Sequence, residues 1–376
     1  MHVVQALVSL GIGGSEMVAV ETTEHLRAAG HKVTVLAANG PLADRVHASG
    51  ADLLAWPVGR KRLGTLLYIR RLRAWLLKNQ PDILHVHSRL PAWICFLALR
   101  KLPAEKRPIF ITSMHGQYSV SSYSAIMARG DHVIAVSKHI REYTLKNYLP
   151  PDCPHLYTIY GGTSRKEFPY GYRPSETWLN KTYAEFPELV GKRILLLPGR
   201  LSRYKGHATF IELLARLKFA YDDIHGVILG RAKPGSRYIN ELEGLALRSG
   251  VSDNLTFCGT RTDMRDWMAA SCLVFNLCSD PPEAFGRTMP EALSMGVPVI
   301  AWNHGGVKEV LREMYPFGAV QADNLSALVH KTGTFLQQAP MVAKSDAFSL
   351  QASMDQTMDL YQKALTTALS SERSAR

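Results

Sequence analysis

The chain has 376 residues, 46% hydrophobic and 20% charged, with a net charge of +12, which suits a soluble enzyme too long for one typical core, so two domains are expected. No apolar run reaches the length of a membrane span, the longest (residues 90–99) being about half of what a bilayer needs. MHVVQALVSL has no basic leader and five cysteines lack metal-ligand spacing, so a reducing, cytoplasmic setting without a secretory signal is expected.

His2–Ser9 reads as a short apolar strand, followed by the loop Leu10–Gly14 and by Ser15 as helix cap. Residues 32–38 and 82–87 are the next strands. Between them Arg60, Lys61, Arg62, Arg70, Arg71, Arg73 and Lys78 form a basic run with no acid between Asp52 and Asp82. Residues 1–150 hold 19 Lys+Arg against 9 Asp+Glu, so most of the charge excess lies there. Leu66, Leu67, Ile69, Leu72, Trp75 and Leu76 interleave with the run as in an amphipathic helix. A solvated helix face is the plain reading, and docking to an anionic membrane through residues 60–78 the sharper one. No recognised nucleic-acid motif accompanies the charge, so no nucleic-acid partner is expected.

Residues 109–113 and 132–136 continue the alternation, with Ser137 set to cap the helix that carries His139 to Lys146. Pro and Gly become frequent from Pro150 to Pro187, which marks a domain junction. Strands then recur at residues 193–197, 225–230, 255–258, 272–278 and 297–302, and residues 349–369 form a closing helix. Two doubly wound α/β domains follow, with ligands expected beyond the carboxyl ends of the strands.

Four such loops carry the candidate chemistry. Gly11-Ile12-Gly13-Gly14-Ser15-Glu16 is a tight strand-to-helix turn where backbone N–H groups can approach a phosphate or sugar, though it lacks the third glycine of a dinucleotide fingerprint. His115 ends a strand; a lone histidine is more often structural than catalytic, and this position raises the odds of function without settling them. Gly199–Gly206 brings Arg200 and Lys205 between strand and helix, a fork and a point charge that can both reach a diphosphate. Asp280–Leu293 opens a helix near Gly286 or Arg287, because Pro290 is tolerated only in a first turn. That helix end suits an anion, Arg287 and Thr288 add a cation and a hydroxyl, and Glu283 and Glu291 bracket the turn. A nucleotide sugar has both the phosphates and the hydroxyls that such a loop would meet.

Taken together, Gly13-Gly14-Ser15-Glu16, Ile134–Lys138, GRLSRYKG and EAFGRTMPEAL resemble the family 4 retaining glycosyltransferases over nearly the whole chain. The resemblance implies a GT-B fold: two Rossmann-like domains facing a cleft, over 1–165 and 166–345, and a C-terminal crossover helix and tail over 346–376. It implies that Arg200 and Lys205 hold the donor diphosphate and that Glu283 meets sugar hydroxyls. Ala284, Phe285, Gly286, Arg287 and Thr288 would line sugar and phosphate, Glu291 the ribose, and Gly13 and Gly14 the diphosphate. His115 would contact the donor sugar, while Gly230 and Arg261 would border the base. Gly230-Arg231-Ala232 departs from the glycine-rich turn usual there, Gly161-Gly162 replaces an Asn-Gly pair, and Pro290 is uncommon in its place.

No Asp-x-Asp triplet occurs, so a metal-independent reaction with no cofactor is expected. The resemblance implies a hexosyl transfer to a glycan or glycolipid acceptor, as in bacterial lipopolysaccharide core or other surface-glycan assembly, and the basic amphipathic run suggests a place peripheral to the cytoplasmic membrane face. The rival readings are a nucleotide-sugar epimerase and a non-catalytic nucleotide-sugar-binding protein.

Overall fold

The structure is a computed structural model that describes residues 1–232 and 236–374. It divides into two compact units, Met1–Gly162 with the residues from Gln351 onward, and Thr163–Leu350.

The first unit is built on β1 (His2–Ser9), β2 (Lys32–Ala38), β3 (Asp52–Leu54), β4 (Ile83–Val86), β5 (Ile109–Met114), β6 (His132–Ala135) and β7 (Leu156–Thr158). They form one parallel sheet in the order β3-β2-β1-β4-β5-β6-β7. Val3, Val4, Ala6 and Leu7 are all buried, with Gln5 the one polar residue among them, so β1 is buried on both faces, as a strand covered on both sides by helices must be. The order reverses between β1 and β4, which makes the loops after those strands the natural ligand positions. The long helix Leu350–Ser374 returns to this unit, and its Leu360 and Tyr361 are part of the core beside Val3, Leu7 and Ile83.

The second unit holds β8 (Arg193–Pro198), β9 (Ile224–Leu229), β10 (Leu255–Gly259), β11 (Leu273–Asn276), β12 (Val299–Trp302) and β13 (Ala319–Val320). Their parallel order is β10-β9-β8-β11-β12-β13, so this sheet reverses between β8 and β11. The Arg200–Lys205 loop follows β8 and the Glu283 loop follows β11. They therefore flank one topological switch point.

The structure differs from the sequence expectations at three places. Ser15 is not a cap: the helix Gly14–Ala28 starts from Gly13, and the Ser15 hydroxyl donates to Glu16 Oε2 at 2.7 Å. The backbone of Gly13 is extended and takes the cap position without a side chain. By contrast, Ser137 Oγ does accept from the Ile140 N–H at 3.1 Å. Strands β3, β7 and β13, all short, lie outside the predicted set.

The third difference concerns residues 60–78, which form a short 3-10 turn, Leu63–Leu66, and then the helix Leu67–Asn79. Leu72 and Leu76 are core residues, while Leu63, Leu66 and Leu67 stand 89%, 53% and 70% exposed. Arg73 leaves the basic run: its guanidinium donates to the Ala98 and Leu97 carbonyls at 3.2 and 3.1 Å, at the C-terminus of the helix Arg89–Leu99. Arg71 lies 4.3 Å over the Trp56 ring. Arg60, Lys61, Arg62 and Arg70 remain on the surface with the exposed leucines. No helix among the described residues is long and apolar enough to cross a membrane.

Candidate active site

In the second unit the chemistry gathers where the β8 and β11 loops meet. Lys205 ends a 3-10 turn, Arg203–Lys205, and Gly206 follows in a left-handed conformation with φ of 78°. A Cβ there would fall 2.3 Å from the Leu277 carbonyl oxygen, so only glycine lets the two loops approach this closely. The Ser279 N–H donates to the Tyr204 carbonyl at 2.8 Å, which stitches the loops together. Across this seam Lys205 Nζ donates to Glu283 Oε2, both side chains being about four-fifths buried. Burial opposes the Lys205 ammonium, but Glu283, with Cys278 and Tyr204, outweighs it and holds the pKa above the ordinary lysine value. Lys205 is a fixed cation here, and not a base. Arg200 stands exposed at the start of the same loop.

The Glu283 loop is supported from beneath by the start of the helix Gly305–Met314. The Gly306 N–H donates to the Glu283 carbonyl at 2.8 Å, and His304 Nε2 donates to the Cys278 carbonyl at 2.6 Å. A Cβ on Gly306 would lie 1.9 Å from the Ala284 carbonyl oxygen. Ala284 and Phe285 turn their side chains inward, with Phe285 edge-on to Phe348 at 5.5 Å between centroids, so what they present outward is backbone. The chain then turns at Gly286 and enters the helix Thr288–Ser294, with Arg287 at the cap position. This start agrees with the limit set by Pro290, which is buried in the first turn. The helix has only seven residues, so its dipole is modest and the local N–H groups matter more. Arg287 Nε and Glu291 Oε1 pair at 3.3 Å one turn apart, both nearly buried.

The remaining residues of the second unit lie around this centre. The Gly230 N–H donates to the Gly259 carbonyl at 2.8 Å, tying the β9 and β10 loops. Arg261 turns its guanidinium to Glu185 at 2.8 Å and Asp263 at 3.3 Å and packs on the Phe186 and Trp267 rings. Burial opposes its charge, yet these two carboxylates raise its pKa further. Arg261 thus works within its own cluster, and the structure does not bring it to Lys205 and Glu283. His207, under the Lys205 loop, is fully buried, with the Ser202 and Gly199 backbone as its nearest polar groups. Burial pushes its pKa down to about 4, so it is neutral.

In the first unit Gly13 and Gly14 lead into the first helix after β1, and half-buried His115 follows β5. Behind His115 is a buried polar cluster that the sequence reading did not single out. His115 Nε2 lies 2.9 Å from His87 Nδ1, and His87 Nε2 lies 2.7 Å from Gln5 Oε1. A signal for it was present: His85 lies in β4 and His87 follows its end, two residues apart in a buried run. The supports Gly305, Gly306 and His304 were also missed, because their role is contact with a loop twenty residues upstream. Among the described residues no group of His, Cys, Asp and Glu side chains is disposed to hold a metal ion.

Two Rossmann-like parallel sheets, each reversing its strand order once, define a two-unit α/β protein, and the matches with known proteins make the class specific. Residues 12–166 match Glycosyltransferase Family 4, and residues 181–344 match Glycosyl transferases group 1. The chain belongs to the family 4 glycosyltransferases and has their GT-B fold. It is 27% identical to spore coat protein SA of Bacillus subtilis, over 80% of this chain and 79% of that one. It is 26% identical to the lipopolysaccharide core biosynthesis mannosyltransferase LpsB of Rhizobium meliloti, over 75% and 74%. In fold it resembles Anabaena HepE, solved in complex with UDP-glucose, with a TM-score of 0.80, 19% identity and coverage of 96% and 100%.

Proposed function

We propose that this glycosyltransferase moves a hexosyl unit from a nucleotide-diphosphate sugar to a glycan or glycolipid acceptor, with retention of configuration and no bridging metal. The observation that carries the reading is the Lys205–Glu283 pair at the β8/β11 switch point, with exposed Arg200 on the same loop. Departure of the nucleotide places new negative charge on a diphosphate oxygen. Two fixed cations and the local N–H groups of Gly286–Thr288 would stabilise that charge without proton transfer to the leaving group. Glu283 then orients sugar hydroxyls, Glu291 accepts from the ribose, and Ala284 to Thr288 contribute backbone donors. Gly13 and Gly14 approach the diphosphate, Gly230 and Arg261 border the base, and His115 contacts the transferred sugar. The lipopolysaccharide-core relative supports a surface-glycan acceptor.

The exposed Leu63, Leu66 and Leu67, set among Arg60, Lys61, Arg62 and Arg70, support peripheral docking to an anionic lipid surface. The protein would then work at the cytoplasmic face of a membrane on a lipid-borne acceptor. Thermal unfolding in the presence of a panel of nucleotide sugars tests the donor assignment. One of them should raise the midpoint by several degrees in the wild type and not in Glu291→Ala, because a ligand held only by the folded state stabilises it. A panel that shifts neither protein would contradict the donor site.

A further inference from the structure

The hydrogen bonds behind His115 continue through the core of the first unit to the C-terminal helix. Beyond His87 and Gln5, Gln5 Nε2 donates to Tyr361 Oη at 3.1 Å, Tyr361 Oη lies 2.6 Å from His85 Nδ1, and His85 Nε2 lies 2.7 Å from Ser113 Oγ. Gln5, His85, His87, Ser113 and Tyr361 are each at most 2% exposed, so their polar groups depend on one another for partners. Both ends of the chain, His115 and the His85–Ser113 pair, line the same small cavity, which is closed on another side by Ser353 and Thr357 of the C-terminal helix.

The directions of these bonds are not independent. Burial, with its imidazole neighbours, pushes His85 down to about 3 and His87 well below the ordinary histidine value, so each of these rings carries one proton. Since Gln5 Nε2 donates to Tyr361, Gln5 Oε1 must accept, and His87 must carry its proton on Nε2. His87 Nδ1 is then an acceptor, and the group 2.9 Å away that donates to it is His115 Nε2. On the other side Tyr361 donates to His85 Nδ1, and His85 Nε2–H donates to Ser113. Reversing the Gln5 amide would reverse every bond, so the six groups act as one unit.

We propose that His87, Gln5 and Tyr361 are positioning residues that hold His115 in the Nε2–H tautomer and in its ring orientation, the C-terminal helix supplying the hydroxyl that links Gln5 to His85. In that tautomer Nδ1 is the acceptor nitrogen of His115, and the C-terminal helix becomes part of the catalytic apparatus through Tyr361. The proposal rests on the reading of His115 as a group that contacts the transferred sugar.

The test is 15N NMR of the full-length protein labelled at histidine, with His115 assigned by loss of its signals in His115→Asn. The wild type should show His115 as the Nε2–H tautomer. In Tyr361→Phe and Gln5→Met that bias should weaken to a mixture, with kcat falling about tenfold and KM within twofold, as expected for a lost orienting partner. An Nδ1–H tautomer in the wild type would overturn the proposal, as would an unchanged His115 pattern in both variants. If neither variant folds, the wild-type tautomer alone decides. The tautomer is read without substrate, so full activity in His115→Asn would refute the role of His115 in transfer while leaving the hydrogen-bond result to stand or fall separately.

Discussion

Replacing Lys205 by alanine removes the cation from the seam between the β8 and β11 loops and separates two effects that the structure joins. The first is on stability. Glu283 keeps only about a fifth of its side chain in solvent and loses the ammonium that pairs with it. A fully buried pair broken on one side costs about 3–5 kcal/mol, and the residual exposure here brings the expected loss to about 1–2 kcal/mol. The second is on the reaction. One fixed charge or donor at a developing oxyanion is worth about 100- to 1000-fold in kcat, and Arg200 remains to supply part of the charge, so a loss of about 100-fold is expected. Adding Glu283→Gln to Lys205→Ala removes the orphaned carboxylate, so the unfolding midpoint should recover while activity does not. Denaturant unfolding and a nucleotide-release assay measure both. A folded Lys205→Ala protein with kcat within threefold of wild type, or activity restored by the second substitution, would refute the assignment of Lys205 to the leaving group.

Further outcomes follow from particular contacts. Gly306→Ala places a methyl 1.9 Å from the Ala284 carbonyl and should displace the Glu283–Arg287 loop, lowering donor affinity at least tenfold; unchanged donor titration would show that the helix Gly305–Met314 does not position that loop. His85, His87 and His207 have folded pKa values below the unfolded value of 6.5, so the unfolded chain binds more protons in that range. Their contribution is complete above pH 6.5 and is lost progressively as pH falls below it. A midpoint that stays flat in denaturant melts from pH 7 to 5 would contradict their burial as neutral groups. Leu66→Ser with Leu67→Ser should weaken sedimentation with anionic vesicles at low salt at least tenfold, with thermal stability unchanged, since neither side chain is in the core. Equal sedimentation of wild type and variant would remove that surface from the account.

The parts of the fold that were legible are those where one physical rule acts alone. Runs such as Val3–Leu7, where only Gln5 is polar, and Ile194–Leu197 are buried on both faces because a covered parallel sheet demands it, and their strands lie where the sequence predicts. Strands β3, β7 and β13 have three, three and two residues at sheet edges, too short for a period to register. In the site, Lys205 and Glu283 were visible as charges on separate loops, and Pro290 placed the helix start to within two residues. What the sequence could not disclose was partnership. Arg73 belongs to a helix C-terminus rather than to a surface run, Gly13 replaces Ser15 as cap, and Arg261 is held by Glu185, seventy-six residues away. His85 and His87 were visible as two imidazoles in an apolar strand, yet their meaning depends on Tyr361 and Gln5, which come from opposite ends of the chain.

The central claim, transfer of a glycosyl unit from a nucleotide sugar, is tested most directly by supplying labelled donor, chosen from the thermal-shift panel, with and without a membrane-lipid extract. Label should appear in a lipid product in step with released nucleoside diphosphate, in the presence of chelator, and its anomeric configuration by NMR should match that of the donor. Nucleotide release that does not depend on the extract, an epimerised donor as the sole product, or no turnover by a well-folded protein would contradict the account.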